Sequence, residues 1–345
     1  LHLDNIFFSL SCEHPTLPRA EVSAILEAEN IPFKVKFSIP GVYRIEAPLS
    51  SISVIVKRAS MVFSGCREIV FCKGNYNSIF NTCKSVDWSF LRGRRFLVRV
   101  RRVMGSCSGV STILLERKIG SIIYNSLDGE ASVDLHNPKF LLQGVLSEGF
   151  FILGLVLGRV KRGKFNARRP KFRPFHHPSS LDPFICRLFV NLSRARMGSL
   201  FLDPFCGSGG FLIEAAMIGC KVIGLDVDKA MIKGCKLNMK YYGLNPLSLV
   251  KGDARHLPFR KVNCIATDPP YGRSASTKGL SLKELLADFF SEVSAVLVRG
   301  GHICIASPSN IDLTSMGLNS GFTLVETHMM RVHKSLTRII CVFKR

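Results

Sequence analysis

Residues 200–216 read LFLDPFCGSGGFLIEAA. An apolar run closes on an aspartate, Asp203; a proline and a cluster of glycines follow, and a second apolar run then begins with helical spacing. Gly207, Gly209 and Gly210 let the backbone turn sharply and approach a ligand closely, while the first unpaired amides of the helix beyond can receive a carboxylate or a phosphate. Leu212 stands where a dinucleotide fingerprint needs its third glycine, so the loop suits a pyrophosphate poorly. An acid at the loop entrance, beside an anion-binding helix end, suits the ammonium and carboxylate of a zwitterionic amino acid.

The surrounding residues repeat the pattern. SLFLD, KVIGLD, LSLVKGD, NCIATD and HICIAS read as strands, with GFLIEAAMIG, KAMIKGCKLNMKYYG and LKELLADFFSEVSAVL as helices among them. This alternation of helices with near-continuous apolar strands predicts a parallel sheet covered on both faces. The last two strands, GFTLVET and RIICVFK, flank the short HMMRVHKSLT and predict a hairpin, which puts one antiparallel strand in an otherwise parallel sheet.

Three of these strands close on aspartate, at Asp203, Asp226 and Asp268. In an open parallel sheet the C-terminal strand ends share one edge, where ligands bind at the switch point. Each carboxylate could instead cap a following helix, a role that suits Asp228 better than Asp226. Asp226 is placed to hold a ribose diol, and GDARHLP offers Asp253 to an adenine amine and the Ala254 amide to a ring nitrogen. Amino acid, ribose and adenine together spell S-adenosylmethionine. Its candidate binding residues are Asp203, Cys206, Gly207, Gly209, Asp226, Asp253 and Ala254.

CIATDPPYGRS, residues 264–274, holds the second half of the site. Two consecutive prolines forfeit two backbone donors and force Asp268 and Pro269 away from helix. The result is either a stiff turn after a strand or a clamp for a planar, amino-bearing ring, with Asp268, Pro269 and Tyr271 as candidate catalytic residues.

The chain of 345 residues is 47% hydrophobic, enough for two or three domains. Its 47 Lys+Arg against 25 Asp+Glu give a formal charge of +22, which points to a polyanionic partner, nucleic acid first. The longest apolar run, GFFILGLVLG at 149–158, is too short to span a bilayer, and the opening residues lack the charged start of a signal peptide, so a cytoplasmic protein without membrane association is expected. Twelve cysteines without a CxxC pair read as reduced thiols, and no Cys–His spacing matches a structural zinc, so no metal is expected.

Texture divides the chain into four parts. Residues 1–72 order their strands and helices as a ferredoxin-like domain; residues 73–160 form a second small α/β module, ending in the long apolar KFLLQGVLSEGFFILGLVL. Residues 161–197 are a basic, proline-stiffened connector and a helix, followed by the sheet domain at 198–345. Eight Lys or Arg and no acid lie between Arg159 and Arg173, a run expected to meet RNA as a group.

DPFCGSGG, GLDVD, GDA and DPPYG, in that order and spacing, resemble the motifs of class I S-adenosylmethionine-dependent amino-methyltransferases over residues 198–345. FLVRVRRV, LERKIGSIIY, VDLHNPKF and FFILGLVLG resemble the THUMP RNA-binding module preceded by a ferredoxin-like domain. With RRPKFRPFHHPSSLDP and HKSLTR, the whole chain is similar to the archaeal-type THUMP-domain tRNA (guanosine-10 N2)-methyltransferases. The resemblance implies an α/β fold: a Rossmann-like class I methyltransferase sheet, mostly parallel with one antiparallel strand, preceded by a ferredoxin-like domain and a THUMP module that grips the acceptor end of tRNA. It implies guanosine N2 as methyl acceptor, one or two methyl groups added, tRNA rather than DNA as partner, and no obligate protein partner.

In that reading Asp268 and the Pro269 carbonyl each accept one amine N–H bond, Tyr271 stacks on the base and Gly272 gives the loop room. The resemblance also places RPFHHP beside the cofactor, where Phe175 and His177 line the base pocket or form an interdomain strut. His333, Ser335 and Arg338 lie on the ligand rim, as substrate contacts or as hairpin supports. In RRFLVRVRRV, alternation puts Arg95, Arg99 and Arg101 on one face and Phe96, Val98 and Val100 on the other, so the arginines meet phosphates or solvent. The clamp by itself does not separate guanine N2, in tRNA or rRNA, from adenine N6. A noncatalytic THUMP adaptor is the rival from another class, and the intact loop and clamp speak against it.

Overall fold

The computed structural model describes residues 2–271, 281–333 and 336–345, in two compact units: Leu1–Val22, Asn30–Lys57 and Met61–Val160 form one, and Ser23–Glu29, Arg58–Ser60 and Lys161–Arg345 the other. Up to residue 160 the elements are β1 (Asp4–Leu10), α1 (Leu17–Ala28), β2 (Lys34–Ile39), β3 (Val42–Ala47), α2 (Ser50–Arg58), β4 (Val62–Lys73), α3 (Tyr76–Lys84), β5 (Arg95–Arg102), α4 (Thr112–Ser126), β6 (Ser132–Val133), β7 (Phe140–Ser147) and β8 (Phe150–Arg159). Their strands make one sheet in the order β2-β3-β1-β4-β8-β7-β5-β6. It crosses residue 72 without a break, because β4 runs on to Lys73 and pairs antiparallel with β8. Gly154 makes that pairing possible: a Cβ there would lie 2.5 Å from the Arg67 carbonyl oxygen and 2.6 Å from the Phe7 ring.

The apolar stretch 139–157 carries no boundary in its hydrophobic pattern, yet it folds as the hairpin β7–β8. Glu148 and Gly149, with φ of 49° and 79°, make its two-residue turn, and Ser147 pairs with Phe150 across it.

The second unit holds α5 (Gly163–Asn166), α6 (Pro183–Leu192), β9 (Leu200–Asp203), α7 (Gly210–Met217), β10 (Lys221–Asp226), α8 (Lys229–Tyr241), β11 (Ser248–Lys251), β12 (Val262–Thr267), α9 (Leu282–Val296), β13 (Leu297–Pro308), α10 (Leu313–Asn319), β14 (Thr323–His333) and β15 (Leu336–Lys344). The sheet order is β11-β10-β9-β12-β13-β15-β14, with β15 antiparallel to both neighbours and the other pairs parallel. The fold class read from the sequence is therefore the one found. The hairpin strands run further than the apolar pattern suggests, because β14 and β15 continue through most of HMMRVHKSLT. The strand order reverses between β9 and β12, which makes their C-terminal ends the switch point.

Helices cover both faces. On one, Leu286, Phe289 and Phe290 of α9 pack with Ile265, Ile303 and Phe343 of the sheet; on the other, Phe189 of α6 meets Phe211 of α7 at 5.4 Å between ring centroids. Part of the basic connector turns inward as well. Glu214 of α7 is fully buried, takes two hydrogen bonds from Arg168 (2.7 and 2.9 Å) and an ion pair from Arg187 (2.9 Å). Arg173 is buried too, its Nε donating to the Arg168 carbonyl. The run 159–173 is thus no uniform RNA-facing group: two of its arginines neutralise or fill the interior under α7, which charge counting along a sequence has no means of detecting.

Candidate active site

A cavity of about 790 Å³ opens at the C-terminal ends of β9, β10 and β12. Its first wall is the glycine loop. Gly207 and Gly209 have φ of 47° and 86°, and a Cβ on Gly209 would lie 2.6 Å from Cys235 Sγ, so the turn into α7 needs glycine on two grounds. The Gly207 amide donates to Asp226 Oδ2 and the Asp228 amide to Asp226 Oδ1, both at 2.9 Å. These two bonds aim the Asp226 carboxylate at the cavity and oppose the upward pull of burial on its pKa. Asp228 instead caps α8, accepting from the Ala230 amide at 2.7 Å.

Asp203 sits beneath this loop with no exposure. Its Oδ1 accepts from the Thr267 hydroxyl (2.8 Å) and the Phe205 amide (3.2 Å), while its Oδ2 is buried without a hydrogen-bond partner among the described residues. Burial pushes this carboxyl up to about 7; the Thr267 and Phe205 bonds oppose the rise, and the charges of Asp226 and Asp268 add to it. A buried carboxylate oxygen with nothing to accept from calls for a cation or a proton, although Asp203 itself lies behind the loop and does not line the cavity. That orphaned atom, the glycine cradle and the cavity-lining Asp226 together fit S-adenosylmethionine. Cys206 and Ala254 are buried against the same cavity. Asp253 is there as well, but Arg255 holds both its oxygens, with Nε on Oδ1 at 3.0 Å and Nη2 on Oδ2 at 2.7 Å.

The opposite wall is the clamp. Asp268, Pro269 and Tyr271 all line the cavity, and Asp268 is already engaged: Tyr271 donates its hydroxyl to Oδ1, and Arg338 Nη2 lies 3.0 Å from Oδ2. Arg338 Nε also donates to the Tyr271 oxygen at 3.1 Å, with the guanidinium carbon 5.5 Å from the Tyr271 ring centroid. Burial raises the Asp268 pKa, and Arg338 followed by Tyr271 counters it. Tyr271 is raised above its ordinary value by burial and the neighbouring carboxylate, so its proton stays on.

Other expected contacts are placed differently. Phe175 does not line the cavity; its ring packs where a Cβ of Gly234 would stand, 2.1 Å away, and its backbone exchanges hydrogen bonds with Asn238 of α8 (2.9 and 2.7 Å). His177 does line the cavity, its Nδ1 2.7 Å from Ser179 Oγ, and Ser180 Oγ meets Ser208 Oγ of the glycine loop at 2.8 Å. His333 lines the cavity too, whereas Ser335 and Gly272 lie outside the described residues. In the other unit, Arg95 and Arg99 are exposed, each paired at 3.0 Å, to Asp134 and Glu116. Arg101 contradicts the exposed-face reading: it is half-buried and its Nη2 donates to the carbonyls of Gly41 (2.8 Å) and Leu10 (3.2 Å). It ties the end of β1 to the turn between β2 and β3.

Three contributors escaped the sequence reading: the Thr267 hydroxyl on Asp203, Arg255 on Asp253, and Arg338 as partner of Asp268. The first two had local signals, a hydroxyl next to the strand-ending acid and an arginine two residues past an aspartate. The third depends on the β13–β15 register, in which Arg338 faces Pro308, and no local pattern encodes it.

Comparison with known proteins adds a lineage to this geometry. A THUMP domain family model matches residues 73–156, and an RMKL-like methyltransferase domain model matches residues 170–340. The tRNA (guanine(10)-N2)-dimethyltransferase of Methanothermobacter thermautotrophicus is 39% identical over 97% of this chain and 98% of its own. That of Methanocaldococcus jannaschii is 30% identical over 99% of both. Among solved structures, TrmN from Thermus thermophilus matches with a TM-score of 0.57 at 20% identity, covering 99% of each chain. A putative methyltransferase complexed with SAH matches at 0.56 and 15%, covering 100% of this chain and 98% of that one. At such identities the structural matches speak for the fold alone.

Proposed function

The chain belongs to the family of the archaeal tRNA (guanine(10)-N2)-dimethyltransferases, S-adenosylmethionine-dependent enzymes, and from that membership we propose that it methylates the exocyclic N2 of guanosine 10 in tRNA, once and then again. The observation that carries the reading is the sharing of one cavity by Pro204–Ser208 and Gly210 of the glycine loop, Asp226 and the Asp268–Pro269 clamp.

The cofactor supplies an electrophilic methyl on a sulfonium. Asp203 Oδ2 would take the cofactor's ammonium, the amides at the start of α7 its carboxylate, Asp226 its ribose hydroxyls, and Asp253 with the Ala254 amide its adenine. On the other wall, Asp268 and the Pro269 carbonyl accept the two N–H bonds of the guanine amine, whose lone pair is otherwise delocalised into the ring. Holding both hydrogens turns that lone pair out of the ring plane. When the methyl group is transferred to that nitrogen, Asp268 would take up the amine proton that is lost. Fixing acceptor and donor in this way can lower the barrier by roughly 7–11 kcal/mol. The paired guanosine must first leave its stack, at a cost of a few kcal/mol, and Tyr271 offers a ring on which it can rest. The matched THUMP segment would deliver the tRNA, in the cytoplasm where that substrate resides.

A second target has one specific support. The tRNA (guanine(6)-N2)-methyltransferase of Thermus thermophilus is 29% identical over 55% of this chain. Mass spectrometry of nucleosides from unmodified tRNA incubated with the protein and labelled S-adenosylmethionine, with fragment mapping, decides between the positions. Label on N2 of guanosine 10 supports the proposal; label elsewhere, or on adenine, overturns it.

A further inference from the structure

Arg338 reaches the clamp from β15, the antiparallel strand, and touches both of its polar side chains: Asp268 Oδ2 at 3.0 Å and the Tyr271 oxygen at 3.1 Å. Tyr271 closes the triangle by donating to Asp268 Oδ1. The side chains of Arg338 and Asp268 are only 12% and 11% exposed. We propose that Arg338 is a positioning residue, which orients Asp268 and Tyr271 for the guanine amine and does not itself bind RNA phosphate. The inference rests on the methyl transfer proposed above.

A carboxylate has about four acceptor sites. Arg338 and Tyr271 occupy one on each oxygen, which fixes the plane of the group and leaves the remaining sites for an amine N–H. The same contact opposes protonation of the carboxylate. Burial favours the neutral acid, whose hydroxyl cannot replace the lost acceptor, and the guanidinium counters part of that preference. Phosphate binding fits this arginine badly, since its fork is already committed to two partners inside the wall.

The pH consequence has a definite sign. Full activity requires ionised Asp268, so it is present above that group's pKa and declines as pH falls through it. Removing the cation raises the pKa and moves the acid limb of kcat upward. The charged and titratable groups around Asp268 are Tyr271 on its own loop, Asp203 at the end of β9, Cys304 on β13, Arg331 and His333 on β14 where they line the same cavity, and Arg338. Burial holds Cys304 and Tyr271 protonated throughout the acid range. Asp203 shares that range, so rates are read at saturating cofactor, whose ammonium would hold Asp203 ionised.

The test compares Arg338→Gln and Arg338→Lys with the unaltered protein by kcat and KM for tRNA from about pH 5 to 9, with S-adenosylhomocysteine titrated calorimetrically to establish that each variant folds. Arg338→Gln should lower kcat roughly tenfold or more near neutrality and shift the acid limb up by about one to three pH units, the range expected for an adjacent charge. Its KM for tRNA should stay within about twofold, since a phosphate contact would appear in that constant. Arg338→Lys keeps the charge and loses the fork, so its acid limb should return while kcat recovers only in part. An acid limb unmoved in Arg338→Gln, a loss confined to KM, or equal shifts in the two variants would overturn the proposal. If Arg338→Gln does not fold, the lysine variant decides: its limb must stay in place while its rate falls. Failure of the unaltered protein to label N2 at all would instead sink the underlying function.

Discussion

Replacing Asp203 by asparagine should make the cofactor-free protein more stable in alkali, while weakening its hold on the cofactor. Asp203 is fully buried, and its carboxyl is pushed from 3.8 up to about 7, chiefly by loss of solvent. A carboxyl with a raised folded-state pKa is tolerated when protonated, and it costs stability as pH climbs from its unfolded value through its folded one. At pH 8 nearly the whole shift is felt; at pH 5 little more than one unit is. Since one unit is about 1.4 kcal/mol, the advantage of Asp203→Asn over the unaltered protein should grow by up to about 2.5 kcal/mol between those two pH values. Taking the difference between pH values cancels the fixed cost of the new buried amide. Urea melts of both proteins at pH 5 and pH 8 supply the number, provided the m-values agree. In parallel, S-adenosylhomocysteine should bind the variant at least tenfold more weakly, whereas 5′-methylthioadenosine, which lacks the amino-acid end, should bind both proteins alike. A stability difference that does not change with pH, or equal weakening of the two ligands, would refute the assignment of Asp203 Oδ2 to the ammonium.

Three further outcomes follow from the geometry. Asp268→Ala should abolish methyl transfer and leave S-adenosylhomocysteine binding within about threefold by calorimetry, while Asp268→Asn, still an acceptor, should keep partial activity. Glu214→Gln removes the counter-charge shared by Arg168 and Arg187 in the interior, and should cost roughly 3–5 kcal/mol in denaturant melts. Gly209→Ala meets both a left-handed φ of 86° and Cys235 Sγ at 2.6 Å, so the loop must shift and S-adenosylhomocysteine affinity should fall by about tenfold or more.

The methyltransferase sheet was legible because each strand carries its own signal: an apolar run, a closing aspartate and a helix at a fixed distance. The glycine loop and Asp-Pro-Pro-Tyr were legible because their chemistry is local. Hydrogen bonds between strands far apart in sequence were not, and they decide what the acids do. Asp203 and Asp226 end neighbouring strands with the same motif, yet the first is sealed with Thr267 while the second is pinned open by the Gly207 and Asp228 amides. Arg101 and Arg168 were misread for a related reason: an arginine in a basic run looks solvated until its buried partner, the Gly41 carbonyl or Glu214, is known. Phe175 read as a pocket wall or an interdomain strut because the resemblance sets RPFHHP beside the cofactor, and it was Gly234, one helix away, that offered the ring a seat.

Thr267 and Asp268 are consecutive, yet one bonds Asp203 beneath the glycine loop and the other pairs with Arg338 in the opposite wall. In the proposed mechanism a single peptide unit, about 3.8 Å from Cα to Cα, is the ruler between methyl source and methyl sink. Loops elsewhere can lengthen or wander without changing that gauge. A one-residue insertion at this junction would rotate one of the two anchors to the wrong face and uncouple them.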